Sequence, residues 1–268
     1  MQIDIKNLKK VFGNKIAVDI QHFHINDGDI LGLVGNNGAG KTTLFRLILD
    51  LLKAEDGQVL LTPNTFIEET RPLATTPGET EGKESKQKNA NTINPAISEE
   101  WKKRTGAYID DSFLIDFLTP EEYLDFISKV SGTSHIDWKK IDSESSPIAP
   151  FLPFTHGEIF GQKKLIRDFS AGNKQKIGII AAMFTQPELL ILDEPFNFLD
   201  PSGQNILKKL LMSFHNSHNA TILISSHNLQ HTVDISTRVA LMEKGKIIED
   251  LNNQEGTAEK ALEEYFEV

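Results

Sequence analysis

Residues 35–42 read GNNGAGKT and match the spacing G-x-x-x-x-G-K-[ST]. Glycines at this spacing let the backbone wrap a phosphate, with successive N–H groups pointing inward. A helix that begins directly afterwards adds the partial positive charge of its N-terminus. The residues expected around the phosphates are therefore Gly35, Asn36, Asn37, Gly38, Ala39, Gly40, Lys41, Thr42 and Thr43. The Lys41 ammonium can reach the β- and γ-phosphates, and the Thr42 hydroxyl can ligate Mg²⁺. A dinucleotide-binding turn is the rival reading. It needs G-x-G-x-x-G, and counting from Gly38 and Gly40 the last position is Thr43.

A second chemical group lies at 189–195, LLILDEP. An apolar run ending in an acid places the Asp193 carboxylate at the carboxyl edge of a sheet, where a phosphate loop also lies. From there Asp193 can hold Mg²⁺ through water. Glu194 points differently and can orient an attacking water or take its proton. His227 follows another apolar run, TILISS. Beside the phosphate loop and the acid pair, a histidine there can contact the γ-phosphate and sense its loss. His22, His24, His215 and His218 have no visible third ligand, and no transition-metal site is assigned to them.

These groups need elements to hold them. LGLV precedes the loop as a strand. Leu44, Leu47, Ile48, Leu51 and Leu52 after it have helical spacing. QIDIK, KIAVDI and DILGLV are read as strands of an N-terminal antiparallel unit. LLILD and TILIS are runs typical of strands buried on both faces of a parallel sheet. Thr119, Pro120 and Glu122 form a capping box at a helix start, and Asp200 with Pro201 begins another helix. RVALMEKGKIIED reads as a hairpin turning at Lys244–Gly245, and AEKALEEYF as a short helix. Residues 75–92 carry no large apolar side chain and read as a solvated loop, with a regulatory or docking role as the alternative. The expected fold class is α/β: a P-loop core with a mainly parallel sheet, an N-terminal antiparallel β unit and an inserted α-helical subdomain. As one domain over 1–268 it divides into the β unit and core (1–65 and 171–268), a polar insertion (66–104) and the helical subdomain (105–170).

The chain has 268 residues, a net charge of −10 and no cysteine. The acidic balance disfavours nucleic acid as a main partner, because affinity there comes from clustered cations. Disulfides and thiolate metal sites are excluded. The N-terminal MQIDIKNLKK lacks the apolar stretch of a signal peptide. No apolar run approaches the roughly 20 residues of a membrane span. The expectation is a cytoplasmic protein that reaches a membrane through a partner.

Read in order, GNNGAGKT, FSAGNKQK (169–176), LLILDEP, FLD (198–200) and His227 resemble the nucleotide-binding subunit of the ATP-binding cassette (ABC) family. The resemblance implies ATP hydrolysis with Mg²⁺ as cofactor, Glu194 and His227 being catalytic and Thr42 and Asp193 on the metal. It also implies a head-to-tail pair of cassettes, as homo- or heterodimer, in which the signature of one closes on the ATP of the other. Ser170, Ala171, Gly172 and Asn173 occupy that signature, with Ala171 and Asn173 replacing the family's Gly and Gln. Leu199 and Asp200 fall in the D-loop. Phe12 stands where the family stacks an aromatic on adenine; a core phenylalanine on a strand is the alternative. Asp110 stands where the family usually has a Gln that contacts Mg²⁺, and an acidic ligand there is still compatible with the metal. A separate transmembrane subunit is implied, docked by the helical lobe, with export favoured by the acid at 110. The alternatives are a soluble ABC ATPase acting on ribosomes or DNA, disfavoured by the single cassette without heptads, and a nucleotide-dependent regulatory protein, disfavoured by the full catalytic set.

Overall fold

The computed structural model describes residues 1–63, 92–133, 135–227 and 229–253, together with Ala258 and Leu262. Nine strands and six α-helices are found among them. β1 (Gln2–Phe12), β2 (Lys15–Ile25) and β4 (Asp56–Thr62) form an antiparallel sheet in the order β2-β1-β4. The second sheet has the order β5-β6-β7-β3-β8-β9. Its members are β3 (Ile30–Val34), β5 (Thr105–Tyr108), β6 (Leu189–Leu192), β7 (Thr221–Ser226), β8 (Arg238–Glu243) and β9 (Lys246–Asn252). All neighbours in it pair in parallel except β8 with β9.

The apolar runs explain this sheet. Successive side chains of a strand face opposite ways, and here each face meets its own core. Leu190, Leu192, Ile222 and Ile224 join a cluster with Ile177, Ile180, Leu207 and Leu211. Their neighbours Leu189, Ile191 and Leu223 join another with Ile3, Ile5, Val18, Leu44 and Ile48. A strand apolar on both faces is stable only when both are covered, and full burial of each such side chain contributes roughly 1.5–3 kcal/mol. The covering elements are α1 (Lys41–Ile48) and the antiparallel sheet on one side, α4 (Ala171–Met183) and α5 (Pro201–His218) on the other. α6 (Leu229–Val233) lies after β7. The helical lobe contains α2 (Pro120–Ser131) and α3 (Leu152–Thr155) among short 3₁₀ turns.

Several expectations are corrected. DILGLV does not belong to the antiparallel unit: β3 is buried throughout and pairs in parallel between β7 and β8. The third antiparallel strand is β4, whose Gly57 and exposed first residues hide it in the sequence. α1 stops at Ile48, and Leu51 beyond it is exposed. Thr105–Tyr108, placed at the start of the helical subdomain, is the edge strand β5. The insertion placed at 66–104 does not stay polar to its end. Ile93 bridges to Leu61, and Ile93 and Trp101 are buried in the core beneath the antiparallel sheet. Residues 75–91 and most of AEKALEEYF lie outside the described residues.

The capping and turn readings agree with the structure. Thr119 and Glu122 form the reciprocal capping box of α2, and Asp200 caps α5 by accepting from the Gly203 N–H at 3.0 Å. Lys244 and Gly245 both have positive φ, closing the β8–β9 hairpin.

Candidate active site

Three neighbouring strands, β6, β7 and β3, end at one edge of the large sheet and deliver three groups there. After β3 comes the loop 35–40, whose path is set by close approaches. Gly40 has φ 114°, and a Cβ on it would stand 2.3 Å from the Ala17 carbonyl oxygen, so no larger residue fits. The loop is braced by the β8–β9 turn, where the Gly245 N–H donates to the Ala39 carbonyl at 2.8 Å. α1 then starts at Lys41 without a side-chain cap, which leaves its first N–H groups facing the loop.

The Lys41 side chain is buried. Its ammonium donates to the Gly35 carbonyl at 2.6 Å and lies 3.5 Å from Glu194 Oε1. Thr42 Oγ1 donates to Asp193 Oδ2 at 2.5 Å, and Ser225 Oγ donates to Asp193 Oδ1. Burial pushes the Asp193 carboxyl above the usual carboxylate range, and the charge of Glu194 adds to the rise. The bonds from Ser225 and Thr42 and the charge of Lys41 work against it. A hydroxyl and a carboxylate held side by side are the hard oxygen donors that Mg²⁺ takes together with water and substrate phosphate, so these residues fit that ion.

Glu194 has φ 48°, a left-handed conformation that turns its side chain away from that of Asp193. Its N–H donates to Ser225 Oγ at 2.9 Å, and the Gln175 side-chain amide donates to its carbonyl at 3.1 Å. Its Oε2 accepts from the His227 N–H at 3.2 Å and lies 2.8 Å from His227 Nδ1. Acid and histidine, read separately in the sequence, form a hydrogen-bonded pair.

A cleft of about 280 Å³ runs along the loop, lined by Phe12, Lys15, Ala17, Asn37–Thr43 and Glu194. Phe12 is 48% exposed, which removes the core alternative for it. Lys10 Nζ lies 5.3 Å from the centre of its ring.

The signature is elsewhere. Ser170 caps α4 by accepting from the Asn173 N–H at 3.3 Å, and Asn173 Nδ2 donates to Glu158 at 3.2 Å. None of Ser170–Asn173 lines the cleft of their own chain. Gly172 packs on the D-loop: a Cβ there would stand 2.6 Å from the Phe198 carbonyl oxygen. Leu199 is buried, while Phe198 is exposed with φ 58°. Among the described residues Asp110 makes no hydrogen bond to Thr42 or Asp193; its carboxylate is held by Arg46 and Ser112. Burial pushes that carboxyl up, but its bonds to Ser112 and Arg46 leave it below the ordinary range.

Sequence reasoning missed Ser225, Gln175, Lys15 and Arg46. Only Ser225 left a signal: a buried apolar strand that ends in two serines directly before a histidine.

The profile described as ABC transporter matches residues 18–197. Bacitracin transport ATP-binding protein BcrA of Bacillus licheniformis is 31% identical over 249 residues, covering 93% of this chain and 69% of that protein. Lantibiotic transport ATP-binding protein SrtF of Streptococcus pyogenes is 28% identical over 265 residues, covering 98% and 95%. Among solved structures, an ATP-binding subunit of an ABC transporter superposes with TM-score 0.75 at 21% identity, covering 100% of this chain and 99% of that one. The cassette MJ0796, a dimer in a post-hydrolysis state bound to ADP and Pi, superposes with TM-score 0.70 at 16% identity, covering 94% and 99%.

Proposed function

Because the chain belongs to the ABC transporter family, as one of its ATP-hydrolysing nucleotide-binding subunits, we propose that it powers export through a separate transmembrane subunit by closing and reopening as a dimer. The observation that carries the reading is the convergence of Lys41, Asp193 and the Glu194–His227 pair at one sheet edge. The relatives named for bacitracin and lantibiotic transport support a peptide-antibiotic substrate class. Among the described residues, no helix is long and apolar enough to cross a membrane. In this reading the chain sits at the cytoplasmic face of the membrane, held by its partner. It acts as one ATPase unit with the helical lobe, from about residue 109 to 170, docking that partner.

In this mechanism the loop N–H groups bind the phosphate chain of ATP, and Phe12 stacks on the adenine. Lys41 leaves the Gly35 carbonyl and turns its ammonium to the β- and γ-phosphates. Thr42 and Asp193 would hold Mg²⁺, which when bound would neutralise negative charge on the phosphates. Water attacks the γ-phosphorus, Glu194 takes the proton it loses, and the bond to the ADP oxygen breaks. His227, 2.8 Å from Glu194, orients that carboxylate. Ser170 and the Gly172 N–H of a second cassette bind the γ-phosphate from across the interface at the N-terminus of α4. ATP biases the closed state only through contacts it makes preferentially there, and the D-loop, with Leu199 and Asp200, follows Phe198, whose carbonyl packs against Gly172.

The test is recovery of the tagged chain from its native cells in mild detergent. A stoichiometric multi-span membrane protein is expected among the co-purifying proteins. Recovery with ribosomes or DNA, and without a membrane protein, contradicts the transport role while leaving the ATPase intact.

A further inference from the structure

Asp110 sits where a metal contact is expected, but its carboxylate faces a cation of its own chain. Arg46 Nη2 donates to Asp110 Oδ2 at 2.9 Å. The other carboxylate oxygen accepts from the Ser112 N–H at 2.9 Å and from the Ser112 hydroxyl, capping the turn Asp111–Phe113. Both oxygens are therefore in use. Arg46 lies on α1 four residues after Thr42, on the same face of the helix. Its Nε is buried and has no hydrogen-bond partner among the described residues. Loss of Asp110 would leave a partly buried guanidinium with its charge uncompensated, which costs more than the pair itself contributes.

The segment after β5 is tied down at both ends. At the start, the Asp193 N–H donates to the Tyr108 carbonyl at 2.9 Å. At the far end, the Leu118 and Asp116 carbonyls accept from the Ile166 and Arg167 N–H groups at 2.8 and 3.0 Å. Those two residues lie just ahead of Ser170. A continuous path thus runs from α1 through Arg46 and Asp110 to the strand of chain that carries the signature.

We propose that Asp110 is a positioning residue, whose ion pair with Arg46 clasps the lobe-bearing segment onto the phosphate-binding helix and so sets where Ser170 stands, and that it is not a metal ligand. The inference rests on the ATPase reading above for its consequence, but the clasp can be measured without turnover. Arg46 and Asp110 are each about a third exposed (38% and 34%), so solvent screening keeps the effect moderate.

The experiment uses the full chain and four variants: Asp110→Asn, Arg46→Gln, the double variant, and the charge swap Arg46→Asp with Asp110→Arg. Amide exchange over residues 109–119 reads the clasp. Binding of a fluorescent ATP analogue across a Mg²⁺ titration reads the metal. Each single variant is expected to speed exchange roughly three- to tenfold. The double variant should be no faster than either single, and the swap should slow exchange again. Mg²⁺ half-saturation in Asp110→Asn should stay within about twofold of the parent. The proposal is overturned if Asp110→Asn weakens Mg²⁺ on the order of tenfold while Arg46→Gln does not. It is equally overturned if the two single effects multiply in the double variant. The swap keeps both charges, so it still decides the matter if a single variant fails to fold. If the parent chain binds no ATP, the ATPase reading falls, while the exchange arm still reports the clasp.

Discussion

In the proposed cycle the phosphate cleft and the signature both bind ATP, yet they are built in opposite ways. Around the cleft, polar groups are satisfied inside the chain. Lys41 rests on Gly35 and Glu194, Asp193 on Thr42 and Ser225, Glu194 on His227. Lys41 and Asp193 are buried and are held in place before any ligand arrives. At the signature the opposite holds. Ser170 and Ala171 are exposed, and among the described residues the Ser170 hydroxyl serves only the cap to Asn173. One half is preorganised to bind; the other is a helix N-terminus with small residues and no ligand of its own chain. Under the proposed function, two halves built this way complete a site only when a second cassette brings its signature to the cleft.

The first way to break the comparison is at the self-contained half. Lys41→Ala removes the one buried cation of the cleft, and loss of a buried charge partner costs about 3–4 kcal/mol. ATP affinity should fall roughly several hundredfold, as read by calorimetry; unchanged affinity would remove the loop from the site. A second variant separates the halves. Ser170→Ala should lower turnover on the order of tenfold to a hundredfold, while ATP affinity of the isolated chain stays within about twofold, because the hydroxyl does not face its own cleft. Equal losses of affinity and turnover would place the signature on its own nucleotide. The smallest effect concerns stability. Burial raises the folded-state pKa of Asp193 above that of the unfolded chain. The folded state then holds the proton more tightly, so this stabilisation is full below the unfolded value and is lost as pH rises through the folded one. Above the folded-state value the ionised Asp193 burdens the ligand-free protein. Asp193→Asn should raise its melting temperature there, with the gain shrinking as pH falls towards the carboxylate range; a lower melting temperature at every pH would contradict this.

What was legible in the sequence follows the same division. GNNGAGKT and LLILDEP announce themselves because a phosphate loop needs glycines where the backbone closes in, as at Gly40, and a strand buried on both faces needs an unbroken apolar run. The caps at Thr119 and Asp200 are local chemistry and were readable for that reason. The strands β4 and β5 were not, because DGQVLLT and TGAY carry glycine and no long unbroken apolar run, and take their stability from partners distant in the chain. The sequence of β3 reads as part of the antiparallel unit because a hairpin-like turn precedes it, whereas the cores on both its faces decide its parallel pairing. Ser225 and Arg46 act through side chains from other elements, Ser225 reaching Asp193 and the Glu194 N–H, Arg46 reaching Asp110. No spacing in the sequence records such meetings.

The most direct measurement of the central claim is the mass in solution of the Glu194→Gln chain with and without saturating Mg-ATP. The variant removes the proton acceptor and keeps the phosphate contacts, so ATP should persist between two signatures. A dimer in Mg-ATP that returns to monomer in ADP, and that Ser170→Ala weakens, is the predicted result. A monomer in saturating Mg-ATP would contradict closure of two copies of this chain on ATP.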